Sequence, residues 1–486
     1  MKGASMAPPT LVDDKNKPPT TSWWPMCFVG IAQLMVMLDS TVVNVALPSI
    51  GKQLPADSAA LQWTISIYVL VYGSLLLLGG RVADVMGRRR SFIAGLIFFA
   101  GASIACGIST NAVTLVLARA LQGLGAAILS AAALSIVVSV YQDPKQRKIA
   151  LTAWSSLGVL GATVGVVLGG IMVTSLSWRW AFFINVPLAL IALFGTLKTV
   201  PRLKPTGRRA LRIPSAIIAT SGLALLSFGL IQLQDGFSSI SAWASLAISL
   251  VLLFVLARME ISNTDPLLPL QLLKLRTYLL SSIGLLLAAA VMISGSYIGS
   301  QYFQNVHGTS ALKAGLALLP MGLSSLFVAF AVPKLIGKIG PAFVYLIGSF
   351  AQIIGAAMLS TNLSSIFLAI IALAIIGAGL PSSFVPLYSV GTSHVRPEDS
   401  GVGSGLLNTF NQTGAALGIA IVGTVLTIAT TNSIHQGQNI SQATSTGVAH
   451  AFIVVAVCGL LGAINAFAMR RQLHIENVTD KEIANG

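Results

Sequence analysis

Near its start the chain reads Ile31-Ala-Gln-Leu-Met-Val-Met-Leu-Asp39-Ser-Thr-Val-Val-Asn-Val-Ala-Leu-Pro48, an apolar run with a single acid inside it. The run follows Trp23-Trp24-Pro25 and is long enough to cross a bilayer as a helix. An ionised carboxylate in such a helix is costly, so it persists only where it faces a cavity, finds a partner or carries a proton. We therefore expect Asp39 to bind and release a proton.

The composition excludes a soluble protein. The chain of 486 residues is 55% hydrophobic and only 9% charged, whereas soluble proteins are about 25% charged. Apolar segments recur from end to end, and about fourteen of them are long enough to span a membrane. The sequence therefore predicts an all-α, polytopic membrane protein. No short apolar segment with a small-residue cleavage site precedes the first span, so we expect no removable signal peptide.

Lys and Arg are distributed unevenly between the two sides of the predicted membrane. With an even number of spans, nearly all of the 29 basic residues fall on the side that holds both termini. Lys52, Arg179 and Lys313 fall on the other side, and Arg119 is left inside the fourth span. This positive-inside pattern predicts cytoplasmic termini in a plasma membrane, which is the inner membrane if the host is bacterial. It also explains the net charge of +15 without a nucleic-acid partner.

The predicted spans form two groups of six with an extra pair between them. Asp84-Val-Met-Gly87-Arg88, after the second span, recurs loosely as Gly337-Lys-Ile-Gly340-Pro341, after the tenth. Repeated halves around a central site are a common transporter architecture. We therefore predict a cytoplasmic tail over residues 1–22, a six-helix half over 23–200, an inserted helix pair with its connectors over 201–277, a second six-helix half over 278–470 and a cytoplasmic tail over 471–486.

Several motifs follow one another along the first half of the chain. They are Leu38-Asp39-Ser-Thr-Val-Val-Asn44-Val-Ala-Leu-Pro48, Gly80-Arg-Val-Ala-Asp84-Val-Met-Gly87-Arg88-Arg89-Arg90, Arg119-Ala-Leu-Gln122-Gly123-Leu-Gly125-Ala-Ala, Gly161-Ala-Thr-Val-Gly165-Val166-Val-Leu-Gly169-Gly170 and Ser177-Trp-Arg-Trp-Ala-Phe-Phe-Ile-Asn-Val-Pro187. The set resembles the motifs of the major facilitator superfamily, and in particular its fourteen-span drug:proton antiporter branch. This resemblance implies the major facilitator fold and multidrug efflux driven by the proton motive force.

The resemblance assigns a gating role to the loop after the second span. Gly80 and Gly87 would permit a tight turn, and Asp84, with Arg88 nearby, would favour the positive end of the helix that opens near Gly401. That contact would hold the outward-facing state. The alternative is that these charges only set the topology. The family usually has a basic residue where this chain has Val85.

The resemblance also assigns a sealing role to the fifth span. Its glycines make a smooth face for close helix contact, which would seal the two halves against proton leak. Ordinary small-residue packing is the alternative, and the family usually has a proline where this chain has Val166. The glycines concerned are Gly161, Gly165, Gly169 and Gly170.

Helix geometry places Asp39 and Arg119 at similar depths. Asp39 lies about 13 Å from the outer end of its span and Arg119 about 9 Å, at roughly 1.5 Å per residue. Both spans line the central cavity in the family fold, so we expect the two charges to interact directly, or through Gln122 or water. A carboxylate balanced between burial and a guanidinium could load and release a proton, and substrate binding would favour release. A permanent structural ion pair is the alternative.

Other polar and aromatic residues in the spans are candidates for the lining of a substrate cavity. Each alone could equally serve helix packing, but as a set they describe an apolar pocket with few polar points, which suits lipophilic compounds. With one deep carboxylate, we expect neutral or monocationic substrates. The candidates are Asn44, Trp63, Tyr68, Tyr72, Gln122, Trp154, Tyr297, Gln301, Asn408, Asn411 and Gln412.

The sequence gives little support for an enzyme or for a metal site. The five histidines lie apart, without ligand spacing, and the chain lacks the GxxxxGK[ST] phosphate loop, so ATP is not the expected energy source. We expect no cofactor, buried structural cysteines and a monomer whose partners are a small-molecule substrate, protons and the lipid bilayer. Two other functions stay open: export of one specific endogenous metabolite on the same fold, and a transport-inactive membrane sensor or scaffold.

Overall fold

The computed structural model describes residues 22–54, 58–141, 143–201, 212–233, 239–263, 266–267, 270–361, 365–393, 395 and 400–485. Over these residues the secondary structure is entirely helical. The helices are α1 (Trp24–Gln53), α2 (Ser58–Met86), α3 (Arg88–Gly107), α4 (Ala112–Val140), α5 (Pro144–Ser175), α6 (Trp180–Phe183), α7 (Asn185–Thr199), α8 (Ile213–Gln232), α9 (Ile240–Ile261), α10 (Arg276–Gln301), α11 (Ala311–Ile339), α12 (Pro341–Thr361), α13 (Ile366–Ser393), α14 (Ser400–His435) and α15 (Ile440–Asn485).

The apolar runs of the sequence become membrane-length helices. Within the described residues, 12 helices are long and apolar enough to cross a membrane, and shorter apolar stretches lie at Ala60–Leu76 in α2 and Val164–Ser175 in α5. The short helices α6 and α7 together form one of the 12, Trp180–Thr199. The all-α membrane fold with about fourteen helices is therefore confirmed.

The helices pack as two bundles with an extra pair against them. Helices α1 to α7 contact one another, as do α10 to α15, and the two bundles meet mainly where α2 contacts α14 and α5 contacts α11. The extra pair, α8 and α9, is attached through α8. Thr220 of α8 shares a hydrogen bond of 3.0 Å with Ser74 of α2, and Thr424 of α14 donates to the carbonyl of Leu230 of α8 at 2.9 Å. The inserted pair is thus bonded to both bundles.

The two bundles are joined at the end where α1, α5 and α10 finish and α11 begins. Ser300 Oγ donates to the carbonyl of Asn44 at 3.1 Å, and Gln304 donates to the same stretch of α1 at 3.3 Å. The amide of Leu312 donates to Thr174 Oγ1 at 3.1 Å. These hydrogen bonds tie the last turns of one bundle to the other, and we call this end of the molecule the closed end.

Candidate functional site

The site is centred on an ion pair buried within the first bundle. Arg119 Nη1 of α4 lies 2.6 Å from Asp39 Oδ2 of α1, and neither side chain exposes any surface. The sequence placed these two charges at similar depths, and they meet directly. Because a buried charge is stable only when it is paired and hydrogen-bonded, the surroundings of the pair decide what it can do.

Two amide side chains complete the shell of the carboxylate. Gln122 Nε2 donates to Asp39 Oδ1 at 2.7 Å, and Asn185 Nδ2 of α7 donates to the same oxygen at 2.8 Å. Both amides also donate to Ser103 Oγ of α3, at 2.7 and 3.3 Å. Asp39 thus accepts from a guanidinium and two amides, an arrangement that fits the ionised carboxylate, which can only accept.

The guanidinium of Arg119 has contacts at every nitrogen except Nη2. Its Nε donates to the carbonyl of Thr64 at 3.0 Å, its Nη1 also donates to Gln122 Oε1 at 2.7 Å, and its Cζ lies 4.0 Å from the centroid of the Tyr68 ring. Among the described residues, Arg119 Nη2 and Asn185 Oδ1 are buried without a hydrogen-bond partner. The cluster therefore contains one donor group, Arg119 Nη2, and one acceptor, Asn185 Oδ1, that form no hydrogen bond with the described residues.

The cluster belongs wholly to the first bundle. Its members come from α1, α2, α3, α4 and α7, and Asp39 faces the interior of that bundle, not an open space between the two bundles. Proton exchange with water therefore requires a change from this conformation. Sequence reasoning missed Ser103, which gives no signal in an apolar helix, and it also missed Asn185. The motif Ser177–Pro187 contains Asn185 and could have pointed to it.

The comparisons with known proteins agree with this architecture. The family model described as Major Facilitator Superfamily matches residues 29–419. The chain belongs to the major facilitator superfamily. It is therefore a multi-pass membrane transporter of small molecules rather than an enzyme.

Relatives within the superfamily carry names that refer to antibiotics. The chain is 32% identical over 474 residues to the puromycin resistance protein pur8 of Streptomyces alboniger, covering 95% of this chain and 93% of that one. It is 34% identical to the cephamycin export protein CmcT of Amycolatopsis lactamdurans, covering 83% and 84% of the two chains. Among solved structures, an inward-facing bacterial homologue of the human lysosomal transporter Spinster matches with a TM-score of 0.69 at 18% identity, covering 94% and 98%.

The predicted lining residues separate into distinct places. Tyr68 belongs to the cluster, and its ring centroid lies 6.1 Å from that of Tyr72, one turn along α2. The Tyr72 hydroxyl lies close to the side chain of Asn408 in α14, which accepts from the Tyr388 hydroxyl at 3.3 Å. Tyr68 and Tyr72 therefore connect the buried ion pair to the contact between the two bundles.

Other predicted lining residues have mainly packing contacts. Trp63 packs against Phe228 of the inserted α8, with ring centroids 6.3 Å apart. Gln301 donates to the Tyr297 hydroxyl at 3.4 Å within α10. Gln412 fills the space beside Gly73 where α14 crosses α2. Asn44 is buried at the closed end, Asn411 is buried in α14, and Trp154 of α5 is half-buried.

The loop motif after α2 is only partly as expected. Gly87 has φ +87° and caps α3, so it makes the turn. Gly80 was expected to share that turn, but it lies inside α2, which continues to Met86. Arg89 donates to the carbonyl of Leu197 at 2.7 Å, and Arg88 is half-buried. The side chain of Asp84 lies outside the described part of the chain, so its gating contact stays a prediction.

A seal between the two bundles requires the fifth-span glycines to face the second bundle, but most of them do not. Gly161, Gly165 and Gly169 all approach the backbone of α1, within the first bundle. Only Gly170 faces the other bundle, where an added Cβ would lie 2.8 Å from Leu312 Cα. On the opposite side, an added Cβ at Gly315 would lie 2.7 Å from the carbonyl of Val166. The contact that closes the bundles is therefore made near Gly170, Val166 and Gly315.

Proposed function

We propose that the chain is a proton-coupled antiporter that exports lipophilic neutral or monocationic compounds. The observation that carries the proposal is the enclosed Asp39–Arg119 pair, because an ionisable carboxylate buried in a membrane bundle marks a proton or ion pathway. The superfamily relative named for puromycin resistance favours cargo of that general kind. The energy source is the proton gradient, without a cofactor, and the working unit is a monomer.

Protonation would require the cluster to rearrange. In the conformation described, Asp39 receives hydrogen bonds and has no acceptor for a proton of its own. Arg119 cannot accept, and the oxygen of Gln122 is already bonded to Arg119 Nη1. Asn185 can change roles, because its amide oxygen has no partner among the described residues. If the Asn185 amide rotated about its Cβ–Cγ bond so that its nitrogen and oxygen exchanged places, a neutral Asp39 could donate to Asn185 Oδ1.

The same rotation of the Asn185 amide would also satisfy the hydroxyl of Ser103. Its hydroxyl oxygen now accepts from both amides, and after the turn its own proton would face the Asn185 oxygen. Each state of Asn185 thus matches one protonation state of Asp39, at the cost of exchanging one set of hydrogen bonds for another. In this role Asn185 is a positioning residue for the coupling carboxylate.

The charge of the Asp39–Arg119 cluster would couple proton binding to substrate binding. The ionised pair is neutral, and adding a proton gives the buried cluster a positive charge. A positive cluster disfavours a cation at the contact between the bundles, so a monocation and the proton would compete. Tyr68 and Tyr72 supply the connection, since they lie between Arg119 and Asn408. Neutral lipophilic compounds would be accepted by the aromatic surface itself.

We further propose that both termini are cytoplasmic, in agreement with the positive-inside distribution of the 29 basic residues. The closed end then faces outward, and the conformation described is closed to the outside. The divisions at residues 23–200, 201–277 and 278–470 are proposed as the moving units, with Asp84, in the last turn of α2, as the gate on the cytoplasmic side.

A second function is export of one endogenous metabolite on the same fold, and it is favoured by the relative named for cephamycin export. Growth of an overexpressing strain across a panel of dyes and antibiotics separates the two. Antiport of many compounds predicts resistance to several unrelated compounds, whereas a dedicated exporter protects against one or none. The panel is run beside Asp39→Asn, which should abolish resistance, and Asp143→Asn, an exposed helix cap that Asn fills equally well. Full resistance in Asp39→Asn would overturn the proposal.

A further inference from the structure

A cavity lies at the opposite end of the molecule from the closed end. It has a volume of about 660 Å³ and opens at the surface between the start of α12 and the last membrane turn of α15. Its lining includes Gly340, Phe343, Phe467, Arg470, Arg471 and His474. The transport cycle proposed above uses none of these residues.

The charge of the cavity is suited to an anion. Arg470, Arg471 and His474 are exposed around it, and no acid is among its described lining residues. The Arg470 guanidinium lies 5.5 Å from the centroid of the Phe343 ring, which holds it over the cavity wall. Gly340, with φ +82°, and Pro341, the first residue of α12, are among the lining residues, so the positive N-terminal end of that helix lies beside the cavity.

Two apolar stripes lead away from the cavity along the outside of the bundle. On α12, Phe343, Ile347, Phe350 and Ile354 recur at helical spacing, each at least 40% exposed. On α15, the matching stripe is Phe467, Ile464, Leu460, Val457 and Ile453, each at least 47% exposed.

Glycines hold the two helices side by side. An added Cβ at Gly459 would lie 2.9 Å from the side chain of Ile353, and one at Gly462 would lie 3.0 Å from the Ser349 hydroxyl. The stripes therefore form one continuous apolar track that begins at the basic cavity and runs along the membrane-facing side of the bundle.

We propose that this site binds an anionic phospholipid. The headgroup phosphate would lie among Arg470, Arg471 and His474, and the acyl chains would lie along the two stripes. Basic pockets between spans at the cytoplasmic side suit acidic headgroups, and a soluble anion would leave the apolar track unused. The choice of the cytoplasmic leaflet rests on the orientation proposed above, but binding itself does not depend on what the protein transports.

Native mass spectrometry of the purified, delipidated protein tests this directly. The protein is offered equimolar phosphatidylglycerol and phosphatidylcholine with identical chains, and the wild type should retain phosphatidylglycerol preferentially. Arg470→Gln with Arg471→Gln should weaken that preference roughly tenfold to thirtyfold, since each basic residue near the surface contributes about a fivefold factor. The matched control is Lys334→Gln with Lys338→Gln, which removes the same charge from exposed positions at the same end of α11, outside the cavity.

Three results would overturn the proposal. The arginine variant could keep the wild-type preference, or the lysine control could lose it to the same degree. Glycerol phosphate at the same concentration could also displace the lipid, which would make the cavity a site for small soluble anions. The unfolding temperature of each variant in phosphatidylcholine alone is measured beside these. If the double arginine variant has lost its fold, Arg471→Gln alone replaces it and should weaken the preference about fivefold.

Discussion

Asn185 Nδ2 lies 2.8 Å from Asp39 Oδ1, while the oxygen of the same amide is buried without a partner among the described residues. The nearby amide of Gln122 is bonded through both its nitrogen and its oxygen. Asn185 is therefore the neighbour of Asp39 that can turn from donor to acceptor without abandoning an existing bond at its oxygen.

Asn185→Leu should uncouple transport from the proton. Leu has the same number of side-chain heavy atoms as Asn and the same branch at Cγ, but it can neither donate to the carboxylate nor accept from the carboxyl group. We expect proton-driven efflux to fall about tenfold, equivalent to about 1.4 kcal/mol of lost coupling, and its dependence on pH to flatten. Substrate affinity should change little. Both are measured in proteoliposomes across a range of external pH.

The control for that experiment is Asn465→Leu. Asn465 is also a buried asparagine whose amide oxygen has no partner among the described residues, but it lies in α15, in the other bundle. It should keep the wild-type pH dependence. An unchanged pH profile in Asn185→Leu, or an equal loss in Asn465→Leu, would remove Asn185 from the mechanism.

Removing Arg119 should destabilise the fold through the charge left behind. Arg119→Met leaves Asp39 buried without its ion-pair partner, and breaking a buried pair in this way costs about 3–5 kcal/mol. The double variant with Asp39→Asn and Arg119→Met should regain most of the lost unfolding free energy, because no uncompensated charge remains. Unfolding in denaturant, followed in detergent, measures both. A double variant no more stable than Arg119→Met alone would contradict the account.

Gly315→Ala should hinder closure of the two bundles. A Cβ at Gly315 would lie 2.7 Å from the carbonyl of Val166, closer than ordinary contact permits. The matched control, Gly337→Ala, lies in the same helix, where an added Cβ meets open space. We expect a cysteine introduced at Leu312 to react faster with a membrane-impermeant thiol reagent in the Gly315→Ala background. Equal labelling in both backgrounds would show that this contact does not limit closure.

The hydrogen bonds of α8 should tie the inserted pair to both bundles. Thr220→Val and Thr424→Val remove the bonds to α2 and α14 while keeping side-chain shape. Each hydrogen bond between membrane helices contributes about 0.6 kcal/mol, so the double variant should lose roughly 1 kcal/mol of unfolding free energy. Thr444→Val is the control, since Thr444 is half-buried and its hydroxyl donates to Ile440 within α15. A loss no larger than in that control would leave the pair attached by apolar packing alone.

Much of the fold could be read from the sequence because a membrane imposes simple rules. Each span needs a long apolar run, and the distribution of Lys and Arg fixes which connections share a side. The end of α2 was harder, since charges after Gly80 look like the start of a loop. Arg81 instead stays in the helix, is buried, and donates to the carbonyl of Pro266 at 2.8 Å.

The site was predictable only where charge or helix rise identified a residue. Asp39 and Arg119 stand out as charges in apolar spans, and rise per residue places them at one depth. Ser103 does not stand out, because a small hydroxyl is common in membrane helices and its role depends on which face meets α4 and α7. The fifth-span glycines show the same limit: their spacing predicts a smooth face, but not that three of them approach α1.

The most direct test records the internal pH of proteoliposomes when a transported compound is added, for the wild type and for Asp39→Asn. The account predicts substrate-dependent proton movement in the wild type and none in Asp39→Asn, although Asp39→Asn should still exchange labelled for unlabelled compound. Proton movement at the wild-type rate in Asp39→Asn would contradict the assignment of the coupling carboxylate. A wild type that moves no protons with any compound would contradict antiport itself.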